Sequence, residues 1–129
     1  MQVNKFITFK QQYPFTHRKE ECERILCKFA DRIPVICERV PNSKLAIMEK
    51  RKYLIPKDLT VGQFMYVIRK QLKCAPEESI FFSVNGTIPS STTAVSQLYH
   101  KYKDEDGFLY FTYSGENTFG GDDDDDDSV

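Results

Sequence analysis

The run Phe108-Leu109-Tyr110-Phe111-Thr112-Tyr113 sets the tightest limit on what this chain can fold into. An almost unbroken apolar and aromatic strand has no face to give to water. It must lie inside a sheet and be covered on both sides. The rest of the chain must therefore supply flanking strands and at least two covering layers.

The flanking strands are legible. Ile33, Val35, Ile36, Cys37 and Val40 make 32–40 a β-favouring segment, ended by Pro41-Asn42-Ser43. After the charged stretch Glu49-Lys50-Arg51-Lys52 comes Tyr53-Leu54-Ile55-Pro56. It is short, flanked by lysines and stopped by proline, as befits an exposed sheet edge. Ile80-Phe81-Phe82-Ser83-Val84 reads as a third strand with an Asn85-Gly86 turn behind it.

The covering helices have their own signals. Thr60-x-x-Gln63 is a capping box. Val61, Phe64, Met65, Ile68 and Leu72 follow it at helical spacing, predicting a helix over 60–72. A second helix is predicted over 93–102, with Val95, Leu98, Tyr99 and Tyr102. Residues 5–30 read as two helical pieces divided at Pro14. Thr16 is the expected cap of the second piece, and Glu20 and Glu21 favour its first turns. Cys22, Ile25, Leu26 and Phe29 form its apolar stripe, leaving His17, Arg18, Lys19, Arg24 and Lys28 as a basic solvated side. A first hairpin, then helix, strand, helix and strand, is an α+β order. It matches a β-grasp core, a four-stranded mixed sheet with helices added in front. The two N-terminal helices would cover the face that such a core leaves open.

The chain has 129 residues, 40% apolar and 13% aromatic, enough for one domain with a real core. No apolar run approaches the roughly 20 residues of a membrane span, and no leader block precedes the first helix, so a cytoplasmic protein is the expectation. Cys22, Cys27, Cys37 and Cys74 show no C-x-x-C pair, and His17 and His100 lie far from them. No metal, cofactor or catalytic group is expected, and the thiols read as reduced.

The C-terminus is unlike the rest: Phe119-Gly120-Gly121, six aspartates Asp122–Asp127, Ser128 and Val129. Glycine can lie extended in a narrow enzyme channel. Six like charges in a row repel and stay solvated. The arrangement suggests a precursor whose tail is cut off to expose a glycine carboxylate. Formal net charge is −1, and loss of the six aspartates turns it to +5. A basic body suits an anionic membrane surface or an acidic peptide.

Several stretches together give the chain a resemblance. They are Tyr13-Pro14-Phe15, Asp31-Arg32-Ile33-Pro34-Val35-Ile36, Lys52-Tyr53-Leu54-Ile55-Pro56, Asp58-Leu59-Thr60-Val61-Gly62-Gln63-Phe64, Ile68-Arg69-Lys70, Asp106-Gly107-Phe108-Leu109-Tyr110 and Ser114-Gly115-Glu116-Asn117-Thr118-Phe119-Gly120. In this order the chain resembles the ubiquitin-like autophagy modifiers, the autophagy-related protein eight family of light-chain-three and GABA-receptor-associated proteins. The resemblance implies a helical extension over 1–30, a core over 31–116, a conjugation segment over 117–120 and an acidic propeptide over 121–129. It implies a cysteine protease that cuts between Gly120 and Gly121 and also delipidates. E1-like activating and E2-like conjugating enzymes would then join Gly120 to phosphatidylethanolamine. The product would be a lipid-anchored protein of the autophagosome membrane and the vacuole or lysosome, not an enzyme.

The family's peptide signature is an aromatic residue and, three later, an aliphatic one, carried by cargo receptors and autophagy factors. An exposed edge strand can take such a peptide by strand addition. Peptide positions three apart face opposite ways, so two pockets are needed. Carried over by motif, Glu21, Ile25, Pro34, Ile36, Lys52, Leu54 and Phe108 form the aromatic pocket. Tyr53, Ile55, Pro56, Leu59, Phe64 and Val67 form the aliphatic one. Arg32, Lys50, Arg51, Lys52 and Arg69 would attract acids flanking the peptide. Gln71 stands where many relatives are basic, and Ser83 where many are bulky and apolar, on a strand that forms a second, helix-binding surface in the family. An unconjugated adaptor for vesicle traffic or tubulin is the alternative. An enzyme and a calcium-binding tail are weaker readings, and nucleic acid is not an expected partner.

Overall fold

A computed structural model describes residues 7–116. Along the chain run α1 (Phe9–Gln12), α2 (Phe15–Lys28), β1 (Arg32–Arg39), β2 (Lys52–Pro56), α3 (Val61–Leu72), β3 (Phe81–Ser83), α4 (Val95–Tyr102) and β4 (Leu109–Ser114). The sheet order is β2-β1-β4-β3. β1 pairs antiparallel with β2 and parallel with β4, and β3 pairs antiparallel with β4. The aromatic strand is thus central and the 52–56 strand is an edge, in the expected β-grasp arrangement.

The sheet has two unequal covers. Ile33, Val35, Cys37, Tyr53, Ile55, Leu109, Phe111 and Tyr113 pack with α3 and α4 in the main core. Phe111 meets Phe64 and Phe82 edge-on, at centroid distances of 5.2 and 5.0 Å. Such pairs stabilise beyond their buried area. On the opposite side, Ile36 and Phe108 meet Phe9 and Cys22 of the helical pair in a smaller cluster, with Ile25 and Tyr110 at its margin. Alternation along β1 sorts these residues: Val35 and Cys37 go to one side and Ile36 to the other.

Local signals place most boundaries. Thr60 and Gln63 exchange the two hydrogen bonds of a capping box at the start of α3. Lys73 closes that helix in the left-handed region (φ 55°), its N–H donating to the carbonyls of Arg69 and Lys70. Asn85 and Gly86 both have positive φ, as their turn requires.

Two expectations fail. Thr16 does not cap α2: Pro14 holds the cap position and Thr16 lies inside the first turn. Proline suits that boundary because the first N–H groups of a helix have no internal partner. The side-chain cap belongs to α1, where Thr8 and Gln11 form a second capping box. Arg18 is not on a solvated face either. It is 8% exposed and pairs with buried Asp106, its Nε donating to Oδ2 at 2.8 Å.

Candidate peptide-binding edge

The β1–β2 register fixes which backbone groups of β2 are spare. The Cys37 N–H donates to the Arg51 carbonyl at 2.8 Å, so 37 and 51 form a hydrogen-bonded pair. In an antiparallel ladder such pairs alternate with unbonded ones. Val35 with Tyr53, and Ile33 with Ile55, share the bonded phase; Ile36 with Lys52, and Pro34 with Leu54, fall between. The N–H and C=O of Lys52 and Leu54 therefore point out of the sheet. Pro34 lacks an N–H, and at an unbonded position facing β2 that costs the hairpin no bond. The Arg32 guanidinium lies 3.5 Å from the Leu54 carbonyl, too long for a firm hydrogen bond.

The side chains of β2 divide between the two covers. Tyr53 and Ile55 are buried in the main core beside Phe64, with Leu59 partly buried against them and Val67 exposed on α3. Lys52 and Leu54 take the other side, toward Pro34, Ile36, Ile25 and Phe108. Pro56 pairs with Arg32 at the strand's end, in the phase of Lys52 and Leu54. It stands apart from the Tyr53 and Ile55 set with which the sequence reading grouped it. Ile36, Phe108 and Phe64 are fully buried, so these three can serve only as floors.

Charge frames the edge. Lys52 forms an ion pair with Glu21 of α2, bridging edge strand and helix. Burial pulls the Lys52 ammonium below its ordinary pKa. Lys50 lies 4.7 Å from the centroid of the Tyr53 ring. Burial also pushes the Tyr53 phenol upward, so it stays a neutral donor, to the Lys50 carbonyl at 3.3 Å. Two expected attractors are engaged elsewhere. Arg51 donates to Glu38, Gln12 and the Ile7 carbonyl. Arg69 donates to the carbonyls of Ala75 and Pro76 and braces the end of α3.

The sequence reading missed the anchor behind the Ile36 and Phe108 side of the edge. Asp106 accepts from Arg18, from the Phe108 N–H at 2.8 Å and from the Tyr110 hydroxyl at 2.5 Å. Arg18 also donates to the Tyr13 carbonyl at 2.7 Å. This network fixes α2, and hence Glu21 and Ile25, against the strand that carries Phe108. Phe9, packed edge-on to Phe108 at 5.5 Å, was likewise missed. The box Thr8-x-x-Gln11 was the available signal for the helix that presents it.

Among the described residues, no three His, Cys, Asp or Glu side chains converge as metal ligands. Cys22 and Cys37 are buried, and burial raises the Cys22 thiol to about 11. Ser83 is buried and Gln71 exposed. Gly120 and the cut after it lie outside the described residues.

The model of the family described as "Autophagy protein Atg8 ubiquitin like" matches residues 17–120. Autophagy-related protein 8 of Emericella nidulans is 59% identical over 112 residues, 87% of this chain and 95% of that protein. The protein of the same name from Colletotrichum lindemuthianum is 58% identical over 113 residues, 88% and 93% of the two chains. The crystal structure of Trypanosoma brucei ATG8 superposes with a TM-score of 0.82 at 42% identity, covering 88% of this chain and 98% of that one. Plasmodium falciparum Atg8, solved in complex with a Plasmodium falciparum Atg3 peptide, gives 0.79 at 34% identity, covering 85% and 97%.

Proposed function

The chain belongs to the Atg8 family of ubiquitin-like autophagy proteins, and on that premise we propose that it is a lipid-conjugated modifier with a peptide-reading edge. A cysteine protease removes residues 121–129. Activating and conjugating enzymes then carry the Gly120 carboxylate to the amine of phosphatidylethanolamine, and the same protease reverses the link. Gly120 is acceptor rather than catalyst. The chain supplies the glycine carboxylate behind Phe119, and the enzymes supply the chemistry. On this reading residues 1–30 are a helical extension, 31–116 the core and 117–120 the conjugation segment. Anchored on the autophagosome membrane, the protein gathers cargo receptors and autophagy factors bearing aromatic-x-x-aliphatic motifs.

The observation that carries the peptide-reading part is the orientation of β2; conjugation rests on family membership and on Phe119-Gly120. Lys52 and Leu54 offer backbone donors and acceptors to an added strand, while their side chains and those of Tyr53 and Ile55 separate to opposite faces. A peptide laid there has one face toward Ile25, Leu54 and the Lys52–Glu21 pair, and the other toward Leu59 and Val67. The Plasmodium relative held with an Atg3 peptide supports a peptide-binding role and a conjugating-enzyme partner.

The test is the intact mass of the chain recovered from its own cells' membranes. A species ending at Gly120 with a phosphatidylethanolamine adduct is expected, and Gly120→Ala should abolish it. A chain still ending at Val129, found only in the soluble fraction under starvation, would favour an unconjugated adaptor.

A further inference from the structure

We propose that the aspartate run Asp122–Asp127 docks, before its removal, on the basic loop 40–51 of the same chain. There it weakens binding of acid-flanked peptides to the β2 edge. The inference rests on the reading of β2 as a peptide site and adds a regulator built into the precursor.

The described chain ends against this loop. The Gly115 N–H donates to the Ser43 hydroxyl at 3.3 Å, and the Val40 N–H to the Tyr113 carbonyl at 2.8 Å. The Tyr113 hydroxyl donates to the Ala46 carbonyl at 2.7 Å and receives the Met48 N–H at 3.3 Å. The last strand therefore brings residue 115 beside Ser43 and Leu45. Asp122 follows six residues after Glu116, within roughly 20 Å of extended chain.

Among the described residues, Lys44 and Lys50 of this loop and Arg39 just before it have no acidic partner. Arg39 donates to the carbonyls of Pro41, Ser43 and Leu45 and so shapes the loop, and it meets no carboxylate among the described residues. Lys44 is exposed beside the exit point. Lys50 is exposed two residues beyond Met48, its ammonium over the Tyr53 ring at the start of the edge. By contrast Arg51 and Lys52 are matched by Glu38 and Glu21. The acids near this rim are Glu49, already engaged, and exposed Glu116. Six aspartates thus face two exposed, unmatched lysines at short tether, where effective concentrations reach about the millimolar range. A run resting on Lys44 and Lys50 occupies the charge that would attract a peptide's flanking acids, and its excess negative charge repels them.

The test compares the intact chain with one in which Asp122 to Asp127 are all changed to Asn, both at low salt. Amide NMR signals of Lys44, Leu45 and Lys50 should differ between the two. The differences should vanish in about 0.5 M salt and with Lys44→Gln plus Lys50→Gln. Differences confined to 114–116, or growing with protein concentration, would overturn the contact within one chain; the second result would assign the tail to another copy. An acid-flanked aromatic-x-x-aliphatic peptide should bind the intact chain about three- to tenfold more weakly than the Asn form. Equal affinities would overturn the shielding. A peptide that binds neither form sinks the edge reading instead, and the NMR differences still decide the tail contact.

Discussion

Arg18 and Asp106, 88 residues apart in sequence, meet at 2.8 Å and fasten the helical pair to the sheet. Both are buried, so removing one partner strands the other. Arg18→Ala should cost about 3–5 kcal/mol, the usual penalty for an abandoned buried charge. Urea unfolding of the two chains would measure it. A loss under 1 kcal/mol would mean that Tyr110 and the Phe108 N–H satisfy Asp106 unaided.

Gly107 sits at φ 97°, and a methyl group there would lie 2.6 Å from the Cys22 sulfur. Gly107→Ala should therefore suffer both backbone strain and a clash, together about 2 kcal/mol or more. Adding Cys22→Ala should recover the steric part and leave the strain. Full recovery, or none, in a double-mutant cycle would contradict this division.

Leu54→Pro deletes an N–H that points out of the sheet. The fold should survive, as judged by circular dichroism and thermal melting. Affinity for an aromatic-x-x-aliphatic peptide should fall at least about tenfold, from the lost hydrogen bond together with the lost Leu54 side chain; Leu54→Ala measures the side-chain share. Unchanged affinity in titration calorimetry would place the peptide somewhere other than this edge.

Asp104 is paired with Lys10 of α1 at 2.5 Å. Burial alone would raise its carboxyl, but the Lys10 ammonium and the Asp106 N–H outweigh that and hold it below the ordinary value of 3.8. A depressed carboxylate pKa adds stability that is present above the ordinary value and is lost as pH falls through the folded one. The stability gap between the natural chain and Asp104→Asn should be about 0.2–1 kcal/mol at neutral pH, given how exposed the pair is. It should close on acidification below 3.8. A gap that widens there would reverse the assignment.

What could be read from sequence was set by short range. β1, β4 and α3 were legible because β-branched and aromatic residues, or a cap and an apolar stripe, sit side by side in the chain. The edge character of β2 was legible from its lysines and Pro56. The membership of Arg18 was not, because one turn of α2 cannot reveal a partner beyond β1, β2 and α3. Thr16 failed as a cap because Pro14 already occupied the boundary. The two faces of β2 followed from alternation. Which pocket residues become buried floors depends on how α2 and α3 lie across the sheet, and no local pattern encodes that.

The unequal covers of the sheet carry a mechanical consequence. One side of β2 rests on the aromatic interior around Phe64 and Phe111, the larger of the two buried clusters. The other faces a helix held by the small set around Phe9, Cys22, Ile36 and Phe108 and by one ion-pair network. Local opening favours the element with the smaller buried cover, so α2 is expected to act as a jaw against a firmer anvil, and hydrogen exchange of its amides would show it. A ligand gripping Glu21 and Ile25 dwells only as long as the jaw stays shut. Substitutions at Arg18 or Asp106, which never touch the ligand, would then shorten its residence time.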